Sequence, residues 1–311
     1  MVAHFFPFGV LIAGLLCVPA HARETASEAA NRPNAVRLEP ISPWSLDYGV
    51  DRCRLVRQFG SEDDQYLVAI EQSAPQESFG LTLAGSQMRQ FQFGDRSFLG
   101  LQDDANVARL NRIMRGNTTH AGPAIILASV VLAEEHGRRI MVNSGKQPEA
   151  ETDELAKGGV NLVEAAKINR IALRKGREAL VLETGNLFAP FQKLNDCTKS
   201  LLTDWGLEPS EHEAYYPPRW TNSKAVTKQI MSSYPRDALI RGEQAIFQMR
   251  AIIEKDGSVS SCHLNKSTKT EALESSACRA MMQARFEPAR TTKGAAMRSF
   301  FATSISYVIG R

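Results

Sequence analysis

The chain has 311 residues, 43% hydrophobic and 23% charged, with a net charge of only +3. That balance excludes a chain disordered throughout and leaves room for two folded units. From Tyr234 onward there are 12 Lys or Arg against 7 Asp or Glu, a mild preference for anionic surfaces and far short of a nucleic-acid footprint.

Phe5 to Val18 is an apolar run of 14 residues followed by Pro19-Ala20-His21-Ala22, a small-x-small pattern before Arg23. A spanning helix needs about 20 residues, so residues 1–22 read as a signal peptide cleaved after Ala22 and the protein as exported. The rival is a short anchor left uncleaved, and membrane contact is expected only in that case. Cys17 follows Leu16 rather than the small residue that lipid attachment requires, and reads as part of the signal. Cys53, Cys197, Cys262 and Cys278 remain, an even number in an exported chain, which points to two disulfides rather than a metal site.

Residues 23–43 are short of large apolar side chains, include Pro33 and Pro40, and read as a flexible lead-in. From Trp44 the chain changes: Cys53–Phe59, Tyr66–Glu71, Phe79–Leu83 and Met88–Phe93 are short runs of β-formers separated by Gly, Ser, Asp and Pro, which predicts a small antiparallel sheet. Asn106–Met114 reads as a helix. Ala124–Leu132 reads as a buried strand with helix as the rival, and Met141–Gly159 as a loop or frayed helix. Ala166–Leu173 and Ala179–Thr184 read as a hairpin joined at Lys175-Gly176. The clearest helix is Phe188–Trp205, where Phe188, Phe191, Leu194, Leu201, Leu202 and Trp205 recur at helical spacing and Cys197 lies near the buried face. A bridge from Cys197 to Cys53 would tie the last helix of this unit to its first strand, so one domain is drawn over 44–206. Residues 207–221, with Pro209, Tyr215, Tyr216, Pro217, Pro218 and Trp220, read as a stiff linker to a second domain over 222–311.

In the second domain Phe247, Met249, Ala251 and Ile253 alternate with Ile246, Gln248, Arg250 and Ile252, the period of a strand with one face in the core. Asp256-Gly257 predicts a two-residue hairpin turn with Lys255 opposite Ser258. That register sets Ala251 against Cys262 and Met249 against Leu264, turning Cys262 inward. Glu271–Arg285 reads as an amphipathic helix carrying Leu273, Ala277, Ala280, Met281 and Ala284 on its apolar side, with Cys278 at the border where it could reach a strand cysteine. Phe286-Glu287-Pro288-Ala289 closes the helical region, and Met297–Ile309 reads as a third strand with Met297, Phe301, Ile305, Tyr307 and Ile309 inward.

Taken in order, Tyr234-Pro235, Ala238-Leu239, Glu243–Ile253, Asp256-Gly257, Ser267, Leu273, Cys278-Arg279-Ala280 and Arg285-Phe286-Glu287-Pro288-Ala289 resemble the C-terminal domain of TonB-family energy transducers. The resemblance covers about a quarter of the chain. It implies a periplasmic α+β module, a small antiparallel sheet with helices on one face, following an N-terminal mixed strand and helix domain of no recognised family. Cys-containing members pair a second-strand cysteine with a helix cysteine; this agrees with the hairpin register in joining Cys262 to Cys278, which leaves Cys53 for Cys197. The resemblance also implies that partners add a strand at the last strand of the sheet, the partner being the N-terminal box of an outer-membrane transporter or another envelope protein. Arg298, Phe300, Phe301, Thr303, Ile305 and Tyr307 are the candidate contact residues, and a second copy of the chain or the N-terminal domain is the rival occupant of that edge. Tyr234, Pro235, Asp256, Gly257, Phe286 and Pro288 carry the family motif.

Nothing in the sequence supports a cofactor or a metal: His120, His136, His212 and His263 have no two-ligand spacing and there is no Cys-x-x-Cys. His263 is expected to face solvent. The acidic pairs Asp63-Asp64 and Asp103-Asp104 lie in turn-like stretches, and no nucleophile elbow or phosphate loop occurs. The chain departs from energy transducers in its short, cleavable apolar run and in having a folded unit where a Pro-rich spacer would lie. The expected function is therefore a non-enzymatic periplasmic binding protein acting in outer-membrane transport. The alternatives are an energy transducer that keeps its signal as an anchor, and an envelope enzyme with its site in the N-terminal domain.

Overall fold

The computed structural model describes residues 35–92, 97–101, 107–110, 113–133, 139–142, 155–233, 236–266 and 277–307. The expected signal peptide, Tyr234-Pro235, Leu273 and Ile309 lie outside the described residues.

The N-terminal unit holds β1 (Val36–Leu38), β2 (Ser45–Tyr48), β3 (Cys53–Gly60), β4 (Gln65–Gln72), β5 (Ser78–Ala84), β6 (Ser97–Leu101), β7 (Val107–Arg109), β8 (Met114–Thr118), β9 (Gly122–Ala133), β10 (Arg139–Val142), β11 (Ala156–Lys157), β12 (Ile171–Lys175) and β13 (Glu178–Leu182). All but β11 form one sheet in the order β10-β9-β5-β4-β3-β2, with β8 also paired to β9, and a second in the order β1-β13-β12-β6-β7. In β4 the alternation is complete: Tyr66, Val68 and Ile70 are buried while their neighbours are half-buried. The helix Phe188–Asp204 lays Phe191, Leu194, Cys197 and Leu201 onto this core, with the Phe191 ring 5.1 Å from that of Phe79. Cys197 is disulfide-bonded to Cys53 at the start of β3, Cα to Cα 6.1 Å. Strand predominates, in several sheets.

Four expectations for this unit are corrected. Within the expected flexible lead-in, Val36–Leu38 is a strand, because β1 pairs in parallel with β13 and buries Leu38. Met88–Phe91 is one helical turn, not a strand; Met88 and Phe91 are buried three residues apart, a helical spacing that four residues are too few to declare. Within 106–114, Val107–Arg109 and Met114 are strand, not helix. Arg139–Val142 is a strand on β9 where Met141 was expected to begin a loop. Gly122–Ala133 resolves to strand rather than helix, paired to β5 on one side and to β8 and β10 on the other.

The remaining strands are β14 (Ala214–Tyr216), β15 (Arg219–Trp220), β16 (Ala245–Ile253), β17 (Val259–Lys266), β18 (Phe286–Glu287), β19 (Ala289–Thr291), β20 (Ala296–Met297) and β21 (Ser299–Tyr307). The principal sheet has the order β17-β16-β21 and is antiparallel. One face is covered by the helices Ser223–Ser232, Arg236–Ile240 and Ala277–Met281, around Val226, Ile230, Phe247, Met249, Ala251, Met281 and Tyr307. Cys262 of β17 is bonded to Cys278 of the third helix, Cα to Cα 5.4 Å.

The pairs Ala251 with Cys262 and Met249 with Leu264 have the expected register, but the turn does not. Glu254 N–H donates to the Ser258 carbonyl at 2.9 Å and Gly257 N–H to the Glu254 carbonyl at 2.9 Å, so the loop has three residues and Glu254, not Lys255, faces Ser258. A bulge beside Ile252 and Ile253 then restores the register along the rest of the hairpin. Phe286-Glu287-Pro288-Ala289 is likewise not a helix end: Phe286 and Glu287 pair with β15, Ala289 onward pairs with β14, and Pro288 marks the crossing between the two small sheets.

These small sheets also alter the reading of 207–221. This stretch holds the 3-10 turn Pro209–His212 and both β14 and β15, and β14 connects β11 of the N-terminal unit to β19 and β20. It is a structured joint rather than a bare linker, because Tyr215 buries its ring with Ala289 and Met297.

Candidate functional site

β16 is buried along both faces, with only Arg250 half-buried. On the side away from the helices, Ile252 and Phe300 pack with Ala74, Leu202 and Leu207 of the N-terminal unit and the joint. Around this cluster the Phe300 ring lies 5.6 Å from Trp205 and 5.8 Å from His212, and the Arg250 guanidinium sits 4.2 Å over the Trp205 ring. Polar contacts flank the aromatic ones. Ser304 Oγ donates to the Ala128 carbonyl of β9 at 3.0 Å, Arg298 donates to the Gly206 carbonyl at 2.9 Å, and Asp51 meets His263 at 3.1 Å and Arg250 at 3.6 Å. The sheet is thus sandwiched between its own helices and the N-terminal unit.

What remains open is its edges. β21 pairs with β16 alone among the described residues, so its outer backbone groups face no neighbouring strand. The six candidate contact residues do not share one environment. Arg298 is held by Glu254 at 2.9 Å and by Gly206, so it does not guard the edge. Phe300 is buried in the joint; Phe301 lies under the sheet against Trp220 and Phe286, at 5.3 and 5.2 Å between ring centroids. Ile305 and Tyr307 are buried, Thr303 is half-buried, and Ser306, absent from the candidate set, is exposed. The side chains of β21 are thus largely committed to the chain's own packing. Affinity at this edge would come from backbone pairing, with selection left to the positions flanking it.

The motif residues that are described serve the frame of this edge. Gly257 has φ +81, and its carbonyl accepts from Phe286 N–H at 2.9 Å; a Cβ on Gly257 would overlap the Phe286 carbonyl. The Asp-Gly turn and the Phe-Glu-Pro-Ala segment are therefore two sides of one contact. Asp256 caps the turn by accepting from Ser258 N–H at 2.9 Å and from its hydroxyl at 2.6 Å, which holds its carboxyl below the usual range.

Sequence reasoning missed the joint, above all His212. Its ring is 2% exposed and sits 5.0 Å from the Tyr215 ring, with Nδ1 2.8 Å from the Glu208 carbonyl and Nε2 3.1 Å from Ser299 Oγ. A Ser-His contact suggests a nucleophile, but Ser299 is 0% exposed and no substrate atom could reach it. The neighbouring cleft, lined by Asn195, Lys199, His212 and Glu213 among others, holds about 190 Å³, below the roughly 300–1,000 Å³ of usual ligand sites. Lys199 and Glu213 are paired with each other across it. The signal for the joint was present: Ile246, Ile252 and Phe300 are large apolar residues on the face assigned to solvent, a pattern of sheets covered on both sides. His263 is exposed, as expected, although it also reaches Asp51. Asp64 accepts from the Tyr66 hydroxyl at 3.2 Å at the end of its turn, and Asp103-Asp104 lie outside the described residues.

The segment that holds this sheet matches one known family. Residues 231–309 match the model of the Gram-negative bacterial TonB protein C-terminal family. No curated protein and no solved structure matches the chain. The TonB C-terminal match begins after β14 and β15, yet both strands pair with β18 and β19 inside it. The joint therefore contributes strands to the TonB-like module. Among the described residues no helix is long and apolar enough to cross a membrane.

Proposed function

We propose that the chain is a non-enzymatic protein of the periplasm whose TonB-like module binds a partner protein by strand addition at the outer edge of β21, in the service of outer-membrane transport. The observation that carries this reading is that, among the described residues, β21 has no strand on its outer side while its sheet is covered on both faces, which leaves backbone pairing as the way in. The TonB C-terminal match supports a protein partner in general; in this reading it is the extended N-terminal segment of an outer-membrane transporter, or an envelope protein offering a similar strand. The N-terminal unit, tied internally by Cys53–Cys197, acts in this reading as a fixed wall behind the sheet.

Photocrosslinking tests it. Benzoylphenylalanine is placed at Ser306 on β21, or at Ser261 on the opposite edge strand, both exposed positions. A synthetic transporter N-terminal peptide should crosslink from Ser306 and not from Ser261. Crosslinking from Ser261, or from neither, would defeat the proposal. Phe301→Pro is a poor probe of the edge, because that ring belongs to the Trp220–Phe286 cluster and its loss would damage the fold.

A further inference from the structure

We propose that His212 is a protonation-released latch holding the N-terminal unit and the joint against the first residue of β21. The contacts define the state of the ring. A backbone carbonyl only accepts, so Nδ1 must carry the hydrogen donated to Glu208, and Nε2 is left as the acceptor for the Ser299 hydroxyl. In the neutral ring the hydrogen is therefore on Nδ1. Burial pushes the Tyr215 phenol up to about 12, so it stays neutral at every pH considered. A second proton on His212 would turn Nε2 from acceptor to donor, so that the Ser299 hydroxyl hydrogen must turn away, and would put a full charge between the rings of Tyr215 and Phe300, in a place with 2% exposure.

The surrounding charges do little to offset this. On the turn itself, Glu208 and Glu211 favour the charged ring but touch it only through the Glu208 carbonyl. Glu213 is paired with Lys199 across the cleft, Asp196 lies on the same helix as Lys199, and Arg298, next to Ser299, is paired with Glu254. Desolvation is the largest influence and lowers the imidazole from its ordinary 6.5. The sign follows: above 6.5 the docked and released forms carry the same neutral ring. As pH falls below 6.5 the released form takes up a proton that the docked form refuses, and docking weakens until the lowered pKa is passed. Release of His212 withdraws the support of Phe300 and Ser299 and opens the second face of the sheet. This device does not depend on what binds at the edge.

The test is hydrogen exchange of the intact, oxidised chain between pH 5 and 8, corrected for intrinsic rates, in the wild type and in His212→Gln, whose amide can accept from Ser299 without titrating. In the wild type, protection over residues 299–302 and 207–216 should fall below pH 6.5 by up to about tenfold per pH unit, and the Gln variant should lack that component. Parallel profiles, or a flat wild type, overturn the proposal. Should the Gln variant fail to fold, the imidazole resonances of His212 in the wild type decide: titration below 6.5 together with loss of protection supports the latch, and titration at or above 6.5 overturns it.

Discussion

Phe300→Ala tests the claim that the TonB-like sheet has two buried faces. If the second face met water, truncating a residue on it would change stability by about 0.5 kcal/mol or less. Phe300 is instead 5% exposed, packed on Ile252, Leu202 and Leu207 and in ring contact with Trp205 and His212. Removing a buried Phe costs about 3–5 kcal/mol, the spread reflecting how far the site collapses. The joint cluster is small, and flexible groups such as Arg250 lie beside it, so the lower end applies: about 3 kcal/mol. Urea denaturation of the intact, oxidised chain measures it. Trp205→Ala completes a double-mutant cycle whose coupling should be about 1 kcal/mol for the edge-on ring pair. A loss below about 1 kcal/mol for Phe300→Ala, with no coupling to Trp205, would refute the two-faced burial.

Three further outcomes follow from the same contacts. Cys53→Ser with Cys197→Ser opens a closure of 144 residues and Cys262→Ser with Cys278→Ser one of 16; by loop entropy the first pair should cost about 5 kcal/mol and the second about 3, so denaturation midpoints in the reverse order would argue against that account. Gly257→Ala should destabilise by about 3 kcal/mol, since it adds left-handed strain to an overlap with the Phe286 carbonyl; a thermal midpoint equal to wild type would show that the two motif segments do not meet. Ser260 and then Arg298 hold the Glu254 carboxyl below its ordinary 4.5, so its contribution is present above 4.5 and lost as pH falls through the lowered value. Glu254→Gln should flatten that part of the acid limb in a stability–pH profile, and an unchanged limb would count against the Arg298 contact.

The C-terminal half was more legible than the N-terminal half, for a physical reason. The strand over Ala245–Ile253 and the Cys262 register are set by neighbours close in sequence, and both are recovered in the structure, although the strand is buried on both faces rather than one. The turn was misjudged because Asp-Gly suits a two-residue loop and a three-residue loop with Gly last equally well, and the bulge that reconciles them leaves no mark in the sequence. In the N-terminal unit, Met88–Phe91 and β7 are too short for periodicity to speak, and β1 is ordered only by pairing with β13, nearly the whole unit away in sequence. The joint was hidden by composition. Pro209, Pro217 and Pro218 mark a linker by their chemistry, while the burial of His212 and Tyr215 depends on surfaces that come together only after both units fold. β21 lies at the margin of its sheet, and Phe300 and Arg298 belong to the joint.

The most direct test of strand addition is amide-resolved hydrogen exchange over residues 299–307, with and without a transporter N-terminal peptide. Pairing at this edge predicts that every second amide of β21 gains protection while those of β17 do not change. Binding that leaves β21 unaffected, or that protects β17 instead, would contradict it.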